Sequence, residues 1–459
     1  MEKPWLKFYD PHVPEHIEYA RMLLRQILDD AADHFPGKTA VFFFGGRVNY
    51  AELRAQANRF AGALKGMGFQ KGDRLGLLLP NMPQTIISAF GALKAGGVVV
   101  FFDPLEKEEE LERQFNDAGV ETLVVLDLVL RRVDKIFPRT KLKQFIITGV
   151  KDYLPFPKDF LFSLAARGRG MAVKVAKKPN IHLFKDFLLG TSAAPSSLEA
   201  SSNSPEDEAF ILYTSGTSGP PKGVVLRHKD LVANLLQAAT WIGEVEKGKE
   251  VFLSILPSHQ AFGMTLAMNL PIYLAGMSIH LPQFEMGQVL SAVRKHRPSF
   301  FPASPPMIES LSTYPEITKY GVSSIKTCWS VGKPLGEEDL QNFERKVGRK
   351  VSEAYGLTEA SALTHANPLY GKRKAGSIGL PLPDTDAKIV DVGGGETEMP
   401  PGEAGELVIR GPQVMKGYWN RPEETQRALR GGWLHTGDMA RMDEDGYFYI
   451  TGKLGKDQK

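Results

Sequence analysis

The sequence has a single cysteine, Cys328, in 459 residues. That excludes an internal disulfide framework and suits a reducing compartment, so a cytoplasmic location is expected. The apolar setting of Cys328 marks it as a buried spectator. Charge of one sign is also scarce. Fifty-six Lys and Arg against 53 Asp and Glu leave a formal +3, too little to argue for nucleic acid, and no basic helix interleaved with aromatics stands out. Residues 1–16 are mixed in charge with no apolar core and do not read as a secretory signal. One long uncharged run goes from Val251 to Leu281, a length that would span a bilayer. That run contains Pro257, His259, Gln260, Asn269, Pro271 and His280. A lipid-exposed helix would leave those polar groups unsatisfied, so a strand–loop–helix–strand inside a buried core is expected instead.

The remainder is ordinary for a large soluble protein, with 42% hydrophobic and 24% charged residues and enough chain for several packed units. Apolar spacing predicts a helix over 17–35, a strand over 41–44 and a helix from Asn49 or Tyr50 to Leu64. Strands follow at 75–79, 98–102 and 122–126, alternating with helices at 85–95 and 106–118. Further on, 229–241 reads as helix, while 251–256, 299–303 and 325–330 read as strands. A β-rich section begins near Gly405. Alternating strand and helix predicts an α/β fold with open parallel or mixed sheets covered on both faces.

One stretch organises the chemistry: Phe-Ile-Leu-Tyr-Thr-Ser-Gly-Thr-Ser-Gly-Pro-Pro-Lys-Gly-Val-Val, from Phe210 to Val225. A short apolar strand feeds a loop in which Thr214, Ser215, Thr217 and Ser218 alternate with Gly216 and Gly219, ahead of Lys222. Glycines let backbone N–H groups close on an anion, hydroxyls add donors, and the lysine adds a compact positive charge. That combination suits polyphosphate. It is not a Walker loop, because Gly223 stands where Ser or Thr should and Val224 to Leu226 reads as strand. The alternative is a flexible linker of the kind found at 191–205. The flanking β-formers, the preceding Tyr213 and the trailing Pro-Pro-Lys-Gly favour the cradle.

Other residues suit the same ligand. Tyr355 offers a ring face for adenine, and Thr358 and Glu359 offer hard oxygens to Mg²⁺, which also bridges phosphates. The alternative for Glu359 alone is an exposed residue opening a helix. Gly332 ends a strand in a turn that can bring backbone against a flat ring. Asp438 can accept both hydroxyls of a ribose, or cap a turn. His259, after a strand end and before Gly263, is either a packed structural residue or a functional one. Residues 151–190 mix Tyr153, Phe156, Phe160 and Phe162 with Arg167, Arg169, Lys174, Lys177 and Lys178. They read as a solvated loop with anchoring aromatics, or as a patch resting on a membrane surface.

The loop resembles the signature of adenylate-forming enzymes (acyl-CoA synthetases, beetle luciferases and the adenylation domains of peptide synthetases), Tyr-Thr-Ser-Gly-Thr-Thr-Gly-x-Pro-Lys-Gly, from which only Ser218 departs. Gly72-Asp73-Arg74, Leu79-Pro80-Asn81 and Lys94-Ala95-Gly96-Gly97 extend the resemblance toward the N-terminus. It implies a large N-terminal domain of the acyl-CoA synthetase/luciferase-like fold. That domain has two α/β subdomains with mixed sheets and a smaller β-rich subdomain, over 1–452. Residues 453–459 are then a hinge stub, the mobile C-terminal domain is absent, and a truncated piece of a longer enzyme is expected.

The resemblance also implies roles. Thr214, Ser215, Gly216, Thr217, Ser218, Gly219 and Lys222 would hold the β- and γ-phosphates of ATP. Gly332, Lys333, Pro334, Glu353, Ala354, Tyr355, Gly356, Thr358, Asp438 and Lys453 would hold the rest of the nucleotide. Lys222, Thr358 and Glu359 would be catalytic, with Thr217 and Glu359 toward the metal. His259, Phe262, Gly263, Val331 and Gly332 would border the acyl pocket, His259 as wall rather than acid–base catalyst. Val331 and Lys333 replace the usual Gly and Ala, and Val331 would narrow the acyl tunnel. Lys453 replaces an arginine, keeping charge without the bidentate fork. The 151–190 insert resembles one in bacterial long-chain fatty acyl-CoA synthetases. The implied activity is a long-chain fatty acid:CoA ligase using ATP, Mg²⁺ and CoA, cytoplasmic and peripheral to the inner face of the membrane through 151–190. Alternatives are an aryl or medium-chain CoA ligase, a carrier-protein-loading ligase, or a non-catalytic nucleotide- or acyl-binding protein. The sequence carries no signal of oligomeric state.

Overall fold

Apolar runs without alternation, such as Val98–Phe101 and Thr122–Leu126, are buried along their whole length, as parallel strands covered on both faces must be. The computed structural model describes residues 2–168, 178–190, 203–214, 219–243, 245–394 and 397–455. Within them the strands form an eight-stranded, a nine-stranded and a five-stranded sheet. In the eight-stranded sheet, Glu208–Tyr213, Val98–Phe101, Arg74–Leu78, Thr122–Leu126, Gln144–Thr148 and Ile181–Leu183 run parallel. Gly223–Arg227 and Gly417–Tyr418 then add antiparallel to the Glu208–Tyr213 edge. In the nine-stranded sheet, Thr39–Phe43, Met277–His280, Val251–Ser254, Phe300–Ala303, Thr327–Val331 and Val351–Leu357 are parallel. Its remaining strands, Gly46–Asn49, Ala362–Ala366 and Leu380–Pro381, are antiparallel. The five-stranded sheet is antiparallel throughout. Two mixed sheets and a smaller β-rich unit are the expected architecture.

The helices follow the sequence signals closely where a cap is present. Asn49 accepts from the Glu52 amide at 2.8 Å and its own amide donates to the Glu52 carboxylate at 3.0 Å, a capping box that opens Tyr50–Gly66. Pro83 stands in the first turn of Pro83–Lys94, where its missing N–H costs nothing. That helix is buried over its whole length.

The helix expected over 17–35 is corrected to Gln26–His34. Upstream, distant partners hold the backbone: Ile17 N–H and the Tyr19 hydroxyl donate to Asp384, and Leu24 N–H donates to His228 Nδ1. Phe44 leaves its strand because it takes φ 47° in the turn to Gly45. The uncharged 251–281 run is strand, π-helix (Gly263–Asn269), short helix and strand, mostly buried apart from the exposed Gln260 in the loop. Among the described residues, no helix is long and apolar enough to cross a membrane. The 151–190 stretch has more regular structure than the sequence suggested, with helices Lys158–Gly168 and Phe184–Leu189 around the edge strand Ile181–Leu183. Of its basic residues, Arg169, Lys174 and Lys177 lie outside the described residues, as does the Arg167 side chain.

Candidate active site

In the nine-stranded sheet, His259, Gly332 and Thr358 all follow the carboxyl ends of parallel strands, the edge where open α/β sheets bind ligands. The anion loop sits at the end of Glu208–Tyr213 in the other sheet. Thr214 N–H donates to the Lys222 carbonyl at 3.0 Å, and Lys222 N–H donates to Thr214 Oγ1 at 3.1 Å. The loop is therefore clamped at its base by the antiparallel pair that carries it. Ser215, Gly216, Thr217 and Ser218, the centre of the expected cradle, lie outside the described residues.

Lys222 Nζ lies 4.5 Å from the centre of the Tyr418 ring and 3.0 Å from a Glu424 oxygen. The Tyr418 hydroxyl donates to Glu359 Oε1 at 2.8 Å. Burial, and then the Glu359 charge, push that hydroxyl well above its ordinary range, so it remains a donor. The two acidic and basic residues expected to act on phosphate and metal are thus joined through one tyrosine. Among the described residues, no three His, Cys, Asp or Glu side chains gather at one point. A lone carboxylate is nonetheless a fitting donor for Mg²⁺, which keeps waters and binds through one or two carboxylates plus substrate phosphates.

Beside this cluster is a cavity of about 400 Å³ lined by Gly332, Lys333, Pro334, Glu353, Ala354, Tyr355, Gly356, Asp438 and Lys453 among others. The Tyr355 hydroxyl donates to Asp438 Oδ2 at 2.5 Å, and Lys453 Nζ lies 2.5 Å from Asp438 Oδ1. Burial and the Asp438 charge raise the Tyr355 hydroxyl well above its usual range. Gly332 holds φ +105°, a conformation other residues rarely adopt, with open space where a Cβ would stand. At Gly356 a Cβ would fall 1.5 Å from the Ala362 carbonyl oxygen, so only glycine lets the strand shift register just after Tyr355. Glu353 is buried and accepts from the amides of Leu335 and Gly376, and burial raises its carboxyl. It braces two walls of the cavity.

Thr358 does not line the cavity; it opens a short turn, Thr358–Ala360, toward Glu359. The acyl-pocket set is not gathered there either, apart from Gly332. Val331 is buried core. Gly263 is a close-packing position, since a Cβ there would sit 2.0 Å from the Pro257 carbonyl oxygen. His259 Nε2 lies 3.5 Å from Asp103 Oδ2, and its Nδ1 is buried without a partner among the described residues. Burial lowers the imidazole's pKa and Asp103 opposes the shift.

Sequence reasoning missed Tyr418, Glu424 and Asp103 as neighbours of these groups. Tyr418 opens a Tyr-Trp-Asn run, 418–420, within the β-rich section that begins near Gly405. Its strand pairs with Gly223–Arg227, and that pairing, which no local signal announces, carries it to Lys222.

The chain is similar to known proteins in both sequence and fold. The family model described as AMP-binding enzyme matches residues 28–419. The chain is 43% identical over 451 residues to a long-chain-fatty-acid–CoA ligase of Bacillus subtilis (strain 168), covering 98% of this chain and 80% of the relative. It is 33% identical to one of Salmonella typhimurium with the same coverage. Its fold is similar to the crystal structure of a long-chain-fatty-acid–CoA ligase from Archaeoglobus fulgidus, with TM-score 0.82 and 23% identity over 97% of this chain and 87% of that one. It is also similar to ATP-bound MatB from Rhodopseudomonas palustris, with TM-score 0.79 and 27% identity over 94% and 79%. The match across most of its length shows that this chain belongs to the AMP-binding enzyme family.

Proposed function

We propose that this chain is a long-chain fatty acid:CoA ligase, which activates a fatty carboxylate with ATP as an acyl-adenylate and transfers the acyl group to CoA. The observation that carries the reading is the juxtaposition of the cavity holding Tyr355, Asp438 and Lys453 with the Lys222–Tyr418–Glu359 cluster. One accommodates a nucleoside and the other an anion with its counter-ion. The two relatives quoted support the choice of acid and of CoA as acceptor.

In this reading the fatty carboxylate attacks the α-phosphate, and pyrophosphate leaves toward the 214–222 loop and Lys222. Such transfers depend on alignment and charge neutralisation more than on covalent help from the protein. The Tyr355 ring and the Gly332–Pro334 turn enclose adenine, and Asp438 takes the ribose hydroxyls in exchange for its contact with Lys453. Glu359, oriented by Tyr418, would hold Mg²⁺, and Thr358 stands near the α-phosphate. When bound, the ion would neutralise charge on the phosphates. His259 and Phe262 form part of the acyl wall. Residues 1–452 constitute the adenylate-forming unit and 453–459 the start of a hinge. The chain works in the cytoplasm, close to lipid-borne substrate. Pyrophosphate release from Mg·ATP in the presence of palmitate, and not with benzoate or acetate, is the expected outcome. Release with benzoate instead would overturn the choice of acid.

A further inference from the structure

The Lys222 ammonium is held by a carboxylate. Glu424 Oε2 lies 3.0 Å from Nζ, and among the described residues it is the single acidic partner of this lysine. Glu359, the other acid of the cluster, is engaged by the Tyr418 hydroxyl. Both members of the pair reach out from fixed backbone. The Lys222 amide is bonded to Thr214 Oγ1, the Pro221 carbonyl before it accepts from Arg113 at 3.0 Å, and the strand Gly223–Arg227 follows directly. Glu424 belongs to the short helix Pro422–Ala428. Its neighbour Thr425 accepts from the Tyr418 amide at 2.9 Å and donates to the Arg421 carbonyl at 2.8 Å, and Tyr418 pairs with Val224 of that same strand. What remains adjustable is the pair of side chains, which are 29% and 32% exposed, open enough for a ligand to replace one of them. Glu424 also has a second cation within reach, since Arg421 Nε lies 3.9 Å from its other oxygen.

We infer that Glu424 is a positioning residue that stands in for phosphate at Lys222. It holds the ammonium until a polyphosphate takes it, then turns to Arg421, and it recaptures the lysine as pyrophosphate leaves. A carboxylate and a phosphate offer an ammonium the same thing, anionic oxygens that accept its N–H bonds. No covalent bond changes in this exchange; one ion pair replaces another. A ligand shifts such an equilibrium only by its differential affinity for the two arrangements, so polyphosphate binds less tightly than it would to an unengaged lysine, and departs more readily. The inference rests on the ligase reading in one respect, that Lys222 is the lysine that meets phosphate.

The test is calorimetric titration of the full chain with tripolyphosphate in the presence of Mg²⁺, a probe with no nucleoside or acyl part. In the Glu424→Gln variant affinity should rise about two- to fivefold, the range for a partly exposed ion pair, and the gain should shrink as salt screens the pair. A contact that merely braced the loop would give the opposite sign, weaker binding on its loss. In a Lys222→Gln background the same change should bring no gain, because the effect runs through the lysine. With palmitate as substrate, the ATP KM of Glu424→Gln should fall by a similar factor while kcat does not rise. Equal or weaker tripolyphosphate binding in Glu424→Gln, or a gain that persists without Lys222, would overturn the proposal. Unchanged binding in Lys222→Gln alone would remove the lysine's phosphate role and the proposal with it, so the two failures are told apart by which variant has no effect.

Discussion

Tyr355 and Asp438 lie 83 positions apart and share a 2.5 Å hydrogen bond. Each is expected as a nucleotide contact from its own motif, but the bond between them was not legible, since nothing local in either motif refers to the other. Tyr355→Phe keeps the ring proposed to face adenine and removes only the hydroxyl that bonds Asp438. ATP affinity measured calorimetrically should fall by about three- to tenfold, the range for the net worth of one ordinary hydrogen bond. An unchanged affinity would mean that Asp438 needs no such support. Buried histidines make a second prediction at this scale. Burial pushes His228 down to about 4 and both His280 and His365 down to about 3. Their folded values lie below the unfolded ~6.5, so the native state favours neutral rings. The stability they contribute is complete above about pH 6.5 and is lost as pH falls toward 3–4, by about 1.4 kcal/mol per histidine and pH unit. The urea midpoint should drop between pH 7.5 and 5.5, and less steeply in a His280→Leu variant.

Among elements, the best-read boundary was the one with a complete local mechanism. The Asn49–Glu52 capping box decides between the two starts the sequence offered, Asn49 and Tyr50, with Asn49 as the cap and Tyr50 opening Tyr50–Gly66. Asn49→Ala should destabilise the protein by about 1 kcal/mol, read as a lower urea midpoint with activity retained. An unchanged midpoint would assign the helix start to packing alone. The worst-read element was the N-terminal helix. Apolar spacing over 17–35 was genuine, but residues 17–24 are not helical and bond instead to Asp384 and His228, and periodicity does not report partners hundreds of positions away. The charge-free 251–281 run shows the opposite case. Its polar residues argued correctly against a lipid-facing helix, because a buried strand–helix–strand satisfies backbone groups that lipid cannot.

Across the whole molecule, the two large sheets meet where their functional loops emerge. The His259–Asp103 contact joins the ends of a strand from each sheet. The Met415 amide donates to the Glu359 carbonyl at 2.8 Å, while Gly417–Tyr418 is added to the edge of the anion-loop pair. One short stretch of the β-rich section thus fastens Glu359 to Lys222. The motifs, in their order along the chain, were enough to identify the adenylate-forming resemblance, and the match over 28–419 bears it out. They also placed the glycines and the alternation of strand and helix, because backbone conformation and burial act over a few residues. Tertiary structure alone decided that Tyr418 links Lys222 to Glu359, that Glu353 braces walls, and that Val331 is core while Phe160 is exposed. Those outcomes depend on which distant strands pair and which faces they cover, a property of the assembled sheets that no short stretch of sequence encodes.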